Sequence, residues 1–205
     1  MSVVTLAPSA ASRFAVPPEP VLPLTVAQYH AMIRAGALEG GAPIELLEGW
    51  LVSKMIKNPS HRVAVRKCRI ALERILPAAW SVDTQEPVTT AESEPEPDIS
   101  VVRGDTTTLL DRHPGPNEIG LLVEVAETSL ERDRGWKKRI YAAAGIPVYW
   151  IVNLVDRQIE VFTQPSGPGE RPDYGTRQIF LAGDELAVVL DGSEMGRIAV
   201  HELLP

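Results

Sequence analysis

The sequence predicts an α/β or α+β fold, a mixed β-sheet flanked by helices. Three features lead there. Two almost continuous apolar runs, "IGLLVEVAE" from Ile119 and "IPVYWIVNL" from Ile146, have the length and β-branched content of strands buried on both faces. One long pattern, "PSHRVAVRKCRIALERILPAAW" from Pro59, reads as an amphipathic helix. Along the chain, the segments alternate between helices and groups of strands.

Residues 1–22 are rich in Ala, Ser and Pro and have no period. They read as a mobile tail, which leaves 23–205 as one domain. "LTVAQYHAMIRAG" is a short helix, with Thr25 as N-cap, Val26, Tyr29 and Ile33 as its apolar face, and Gly36 at its end. "APIELLEGWLVSKMIKN" is a hairpin with strands Ile44–Leu47 and Leu51–Met55 turning at Glu48-Gly49. In the long helix, Ser60 is the expected cap and Pro77 the stop. Its expected stripe is Val63, Ile70, Leu72, Ile75 and Leu76, with either Cys68 or Arg66.

"WSVDTQEPVT" and "PDISVVR" have strand length, and residues 104–118 form a polar loop. "SLERDRGWKKRIYAAAG" is a helix ended by Gly145. "IPVYWIVNL" pairs with "QIEVFTQ" through a turn at Val155–Arg157, and "PSGPGERPDYG" is a turn-rich insertion. "TRQIFLAG", "DELAVVL" and "RIAVHELL" are expected as edge strands or a short final helix.

Composition narrows the function. The 205 residues, 44% hydrophobic, are enough for a core. No apolar run approaches the roughly 20 residues of a membrane span, and no secretory signal opens the chain. A single cysteine excludes an internal disulfide and fits a reducing, cytoplasmic setting. Cys68 reads as a small buried or half-buried side chain. No glycine-rich phosphate loop and no Cys/His zinc spacing occur. The net charge of −7 argues against a broadly basic DNA-binding surface. One local exception is the helix from Ser129, where Arg132, Arg134, Lys137, Lys138 and Arg139 face only Glu131 and Asp133.

Two acids stand out. Glu124 interrupts a buried run, where an unpaired carboxylate is costly. It is either a salt-bridged strand residue or a metal ligand. Asp98 follows Pro97 at a strand start, and adjacent strands would bring the two carboxylates together. Two hard oxygen ligands plus waters suit Mg²⁺. In contrast, Glu92, Glu94 and Glu96 in "ESEPEP" read as solvated loop charges. Asp133, Lys137 and Tyr141, at i, i+4 and i+8, share a helix face. Lys137 then either sits on a solvated face or reaches the Glu124 end of the sheet. Glu45 either faces out or faces the site. Glu48 reads as a turn residue, and His61, at the start of the long helix, is a weaker candidate.

The blocks "YHAMIRAGALEGGAPIELLEGWLV", "NPSHRVAV", "SEPEPDISVVRG", "LLVEVAETSLERDRGWKKRIYAAAGIPVYWIVNLVDRQIEVF" and "GRIAVHELL" resemble the Uma-two family of restriction-endonuclease-like proteins. The resemblance runs from about Leu24 to the C-terminus. It implies a PD-(D/E)XK nuclease fold whose site holds Mg²⁺ or Mn²⁺ and cleaves phosphodiester bonds. Pro97-Asp98 then matches the motif's "PD" and Glu124 its second acid. Ala126 stands where the usual lysine would be, and Lys137 matches a lysine displaced onto the following helix. Glu45 and His61 match an acid from before the long helix and a histidine at its start.

The leading expectation is a metal-dependent DNA endonuclease. Asp98 and Glu124 would bind the ion and Lys137 would act on water or charge, with Arg134 and Lys138 on the nucleic acid and no membrane partner. The first alternative is an inactive nuclease-like domain that binds nucleic acid or a protein. The second is a structural or oligomerisation module with Trp50, Trp136 and Trp150 as candidate interface residues, Trp150 reading more simply as core packing. A homodimer is compatible with two DNA strands to cut.

Overall fold

The structure is a computed structural model that describes residues 21–38, 43–54 and 57–205. Residues 1–20 of the expected tail and Met55, the expected end of a hairpin strand, lie outside the described residues.

Helix α1 (Val26–Arg34) starts as its sequence predicts. The Gln28 N–H donates to the Thr25 hydroxyl at 3.2 Å, and the Thr25 N–H donates to Gln28 Oε1 at 2.9 Å, a reciprocal cap. Only Tyr29 of its expected apolar face is buried, while Ile33 remains exposed. Strands β1 (Ile44–Leu47) and β2 (Trp50–Ser53) form the hairpin. Glu48 and Gly49 take φ of 47° and 82°, the left-handed pair of a two-residue turn. Gly49 is also needed for space, because a Cβ there would lie 2.3 Å from Pro23 Cβ.

Helix α2 (Pro59–Ile75) differs from expectation at its start and in its phase. Its N-cap is Asn58, with Pro59 in the first turn, where its missing N–H costs nothing. Ser60 instead donates its hydroxyl to Glu127 at 2.9 Å. The buried face is Ala64, Val65, Cys68, Ala71 and Leu72. Val63 and Ile70, expected inside, are 40% and 51% exposed. Alanine and cysteine leave room for close approach to the sheet, so small residues line the contact. Burial pushes the Cys68 thiol up to about 12, which makes it a core residue.

The central sheet has six strands in the order β3-β4-β5-β6-β7-β8. They are β3 (Trp80–Asp83), β4 (Ile99–Arg103), β5 (Ile119–Ala126), β6 (Val148–Asn153), β7 (Gln158–Pro165) and β8 (Tyr174–Leu181). Only β5 and β6 run parallel, and the connection between them carries a helix, as a parallel crossover requires. That helix is α3 (Leu130–Arg132), a π-helical turn at Asp133–Lys137, and α4 (Lys138–Ala143). The hairpin of β9 (Glu185–Leu190) and β10 (Ser193–Ala199) forms a separate sheet, not an edge of the central one.

All eight residues of β5 are buried, as its apolar run predicts. Leu121, Val123 and Val125 join a core with Leu72 of α2 and Leu186, Val188 and Ile198 of the β9–β10 hairpin. Leu122 and Ala126 belong to a second core with Tyr141, Tyr149 and Phe162. Each fully buried Leu, Ile or Val side chain contributes about 1.5–3 kcal/mol, so the sheet sandwiched between the two cores is the rigid frame of the molecule.

In the acidic stretch before β4, Glu92 is exposed as expected and Glu96 half-buried, but Glu94 is not the solvated charge expected of it. Ser93, Glu94, Pro95, Pro97 and Asp98 are buried. Glu94 accepts from the Thr89 hydroxyl at 2.7 Å and lies 2.6 Å from His30 Nε2. Its N–H donates to the Leu46 carbonyl at 2.7 Å. The segment is thus an inner strap between the hairpin and the sheet, with its charge compensated. Among the described residues, no helix is long and apolar enough to cross a membrane.

Candidate active site

The site forms where the start of β4 meets the end of β5. Ile99 pairs with Val123 in antiparallel register, so Asp98, one residue earlier, falls opposite Glu124. The Cβ atoms of such cross-strand neighbours lie roughly 5 Å apart. Asp98 is held on two sides. The Val125 N–H donates to its Oδ2 at 2.9 Å, and His61 Nε2 donates to the same oxygen at 2.9 Å. Asn58 and Pro59, at the helix start, bring His61 to the sheet end.

Glu124 is held on its Oε1. Lys137 Nζ donates to it at 2.9 Å and the Tyr141 hydroxyl at 2.7 Å. Lys137 also lies 3.2 Å from Glu45 Oε2, which accepts the Glu96 N–H at 3.2 Å. Glu45 is 1% exposed and therefore turns inward, resolving the two orientations open to it from alternation alone. Lys137 likewise reaches the Glu124 end of the sheet and is 3% exposed. The π-helical turn adds a residue to the helix just before Lys137 completes it, and such turns recur at functional sites.

The electrostatics follow from burial. Desolvation, helped by Asp133 and Asp98, pushes the Glu124 carboxyl up to about 8 against the pull of Lys137. Burial disfavours charge on Lys137, but Glu124, Glu45 and Asp133 outweigh it and hold the ammonium protonated above the usual lysine range. Glu124 and Glu45 thus both contact the Lys137 ammonium, with Asp133 close enough to feel its charge.

Sequence reasoning missed several neighbours. Asp133 is 1% exposed and lines the cleft; its Oδ2 accepts the Ser129 hydroxyl at 2.6 Å, and its Oδ1 has no partner. Arg132 reaches the Ser53 carbonyl at 3.2 Å and Glu45 Oε1 at 3.6 Å. For Asp133 the signal was the helix face it shares with Lys137 and Tyr141, which places it beside the cleft once Lys137 points there.

The cleft also fits an oxygen-liganded ion. One buried carboxyl oxygen of the cleft, Asp133 Oδ1, has no hydrogen-bond partner. Among the described residues, no protein donor reaches Asp98 Oδ1 or Glu124 Oε2. No three His, Cys, Asp or Glu side chains among the described residues converge as a closed metal cage. Two carboxylates with free oxygens in a polar, water-accessible cleft suit Mg²⁺, which keeps several waters and seldom uses an all-protein cage.

Arg134 and Lys138, expected on nucleic acid, are not among the cleft residues. Arg134 pairs with Glu160, which also accepts from Asn153 at 3.0 Å and Arg177 at 2.8 Å. Lys138 pairs with Asp173 at 2.8 Å. Arg139 pairs with Glu48, which also accepts the Trp136 indole N–H at 2.7 Å. Glu48 is therefore a tie between hairpin and helix as well as a turn residue. The cations of the basic helix thus pair with carboxylates on strands, as Arg134 with Glu160, and in loops, as Lys138 with Asp173 and Arg139 with Glu48.

A search of curated proteins finds no match. Among solved structures, the fold is similar to a crystal structure from Anabaena variabilis ATCC 29413, described as "a putative nuclease belonging to DUF820". The TM-score is 0.61 at 16% identity, over 88% of this chain and 97% of the other. The family profile described as "Uma2: Putative restriction endonuclease" matches residues 26–197, most of the chain and all of the site just described, and the protein therefore belongs to the Uma2 family.

Proposed function

We propose that this protein hydrolyses phosphodiester bonds of DNA at the Asp98–Glu124 cleft, with Mg²⁺ or Mn²⁺ held between the two carboxylates. The observation that carries this reading is the cross-strand placement of Asp98 and Glu124, each with one oxygen pinned by protein donors and one without a donor. A bound divalent ion would polarise the scissile phosphate and acidify an attacking water. The chain's own residues do the rest. The Val125 N–H and His61 fix Asp98 in one rotamer. Lys137 and Tyr141 fix Glu124 and neutralise part of its charge. The Lys137 ammonium stands ready to stabilise negative charge that develops on the phosphate. Glu45 holds that ammonium from the other side.

The test is nicking of supercoiled plasmid by purified protein with Mg²⁺ or Mn²⁺. Asp98→Asn and Glu124→Gln each keep the shape of the side chain and should abolish nicking. Equal nicking by wild type and both variants would sink the assignment.

A second reading has one observation in its favour. Glu124 is already satisfied by Lys137 and Tyr141 without an ion, as in a domain that keeps its acids as salt bridges and only binds. Mn²⁺ titration followed by electron paramagnetic resonance separates the two. Loss of free-ion signal in wild type but not in Asp98→Asn supports the hydrolase.

A further inference from the structure

The nuclease reading needs a surface that carries the nucleic acid to the cleft, and in the basic helix Lys137 and Arg134 are committed to the buried carboxylates Glu124 and Glu160. A different surface has the required features. The exposed side of α2 presents Arg62, Arg66 and Arg69 at i, i+4 and i+7, one face of the helix. Among the described residues, Arg62 and Arg66 have no carboxylate within ion-pair distance. Arg69 pairs with Glu73 at 3.0 Å, but both are about half exposed, and solvent screens such pairs so that a phosphate can replace the carboxylate. These arginines line a groove with Thr84 and Gln85.

Both walls of this groove are tied to Asp98. Arg62 follows His61, whose ring holds the Asp98 carboxylate. Gln85 donates its N–H to the Asp98 carbonyl at 3.2 Å. Gln85 is exposed and has a φ of 59°, a left-handed conformation that a non-glycine residue seldom adopts without a local reason. The groove and the candidate catalytic cleft share no lining residue but adjoin through these two links, His61–Arg62 along α2 and Gln85 on the Asp98 carbonyl.

We infer that the groove between α2 and Thr84–Gln85 binds the phosphate backbone of duplex DNA and leads it to Asp98. Charge complementarity identifies the occupant: exposed guanidinium groups, those of Arg62 and Arg66 without an ion-pair partner among the described residues, gathered on one face of a chain with net charge −7. From Arg62 to Arg69 the helix rises about 10 Å, which faces about three phosphates of one strand at roughly 3.4 Å of axis each. Arginine also suits the task because its fork matches phosphate oxygens bidentately. The inference rests on the nuclease reading for its choice of DNA, but not on cleavage.

The experiment measures binding of a short fluorescent duplex by anisotropy over a series of salt concentrations, without divalent metal. Each neutralised phosphate contributes about 0.9 to the slope of log affinity against log salt. The Arg62→Ala/Arg66→Ala/Arg69→Ala variant should lower that slope by about 2 to 3. A control variant, Arg112→Ala/Arg197→Ala, should leave it unchanged. Arg62→Lys/Arg66→Lys/Arg69→Lys, which keeps the charge, should retain most of the slope. An unchanged slope in the alanine variant overturns the inference, as does failure of the wild type to bind duplex DNA. Loss of the slope in the lysine variant equal to that in the alanine variant also overturns it. A wild type that binds through this groove yet cuts nothing keeps the inference and overturns only the nuclease reading.

Discussion

Lys137 Nζ lies 2.9 Å from Glu124 Oε1 and 3.2 Å from Glu45 Oε2, so one ammonium joins the central strand β5 to the first hairpin. All three side chains are at most 4% exposed. The arrangement is a buried charge cluster whose parts are safe only together. Replacing Lys137 by Met would leave two buried carboxylates facing each other. The expected cost is about 3–5 kcal/mol, read as a lower urea midpoint. Adding Glu124→Gln to Lys137→Met should restore part of that loss, because the buried carboxyl group that Lys137 no longer contacts is then gone. Additive losses in the double variant would show that the two groups are not coupled.

The pH dependence of stability follows from Glu124. Its carboxyl is raised from an ordinary value of 4.5 to about 8. Between those two pH values the folded state holds a proton on Glu124 that the unfolded chain has released. Stability contributed by this group is thus full below about pH 4.5 and declines as pH rises toward 8, with a slope of up to about 1.4 kcal/mol per pH unit. Glu124→Gln should remove that decline. The check is the urea midpoint of both proteins across this range; parallel curves would contradict it.

The fold was legible where the pattern was strong. The run at Ile119–Ala126 and the Glu48-Gly49 turn announced a buried strand and a tight hairpin, and the structure has both. The phase of α2 was misread because Val63 and Ile70 are bulky while Ala64, Cys68 and Ala71 are small. That error had a consequence for function. A helix rotated to bury Val63 and Ile70 turns part of the arginine face away from solvent, whereas the helix after β5 shows its basic character in the local sequence alone. There the cations are numerous but answer carboxylates that are distant in sequence, such as Glu48, Glu160 and Asp173. Glu94 was misread for the same reason, since its partner His30 is 64 residues away. Asp98 and Glu124 stood out because local context, a proline before one and apolar neighbours around the other, marks them without knowledge of tertiary partners.

His61 should matter for activity through Asp98 and not through contact with substrate. Its Nε2 donates to Asp98 Oδ2, and supporting groups of this kind typically change metal affinity or activity by 10–100-fold. His61→Ala should lower plasmid nicking by about that factor and weaken Mn²⁺ binding in step. His61→Gln, which can still donate, should recover part of both. A variant that loses nicking but binds Mn²⁺ as well as wild type would assign His61 a direct chemical role.

Arg134 tests the difference between a structural and a nucleic-acid-binding cation. Glu160 is fully buried at the base of β7, and Arg134, Arg177, Asn153 and Gln158 all donate to it. Despite the penalty of burial, these donors hold its carboxyl down near 2. The stability this group contributes is therefore present above the ordinary carboxylate value of 4.5 and is lost as pH falls toward 2. Arg134→Ala removes one charged donor and leaves Arg177 in place, so the expected loss is about 1.5–3 kcal/mol at neutral pH. The loss should shrink in acid, where Glu160 takes up a proton. If Arg134 works only in this way, the salt dependence of duplex binding will be the same in Arg134→Ala and wild type at a temperature where both are folded. A fall of about 0.9 in that slope would instead mean a phosphate contact at Arg134. The DNA surface would then have to extend from the α2 groove across the sheet end to β7.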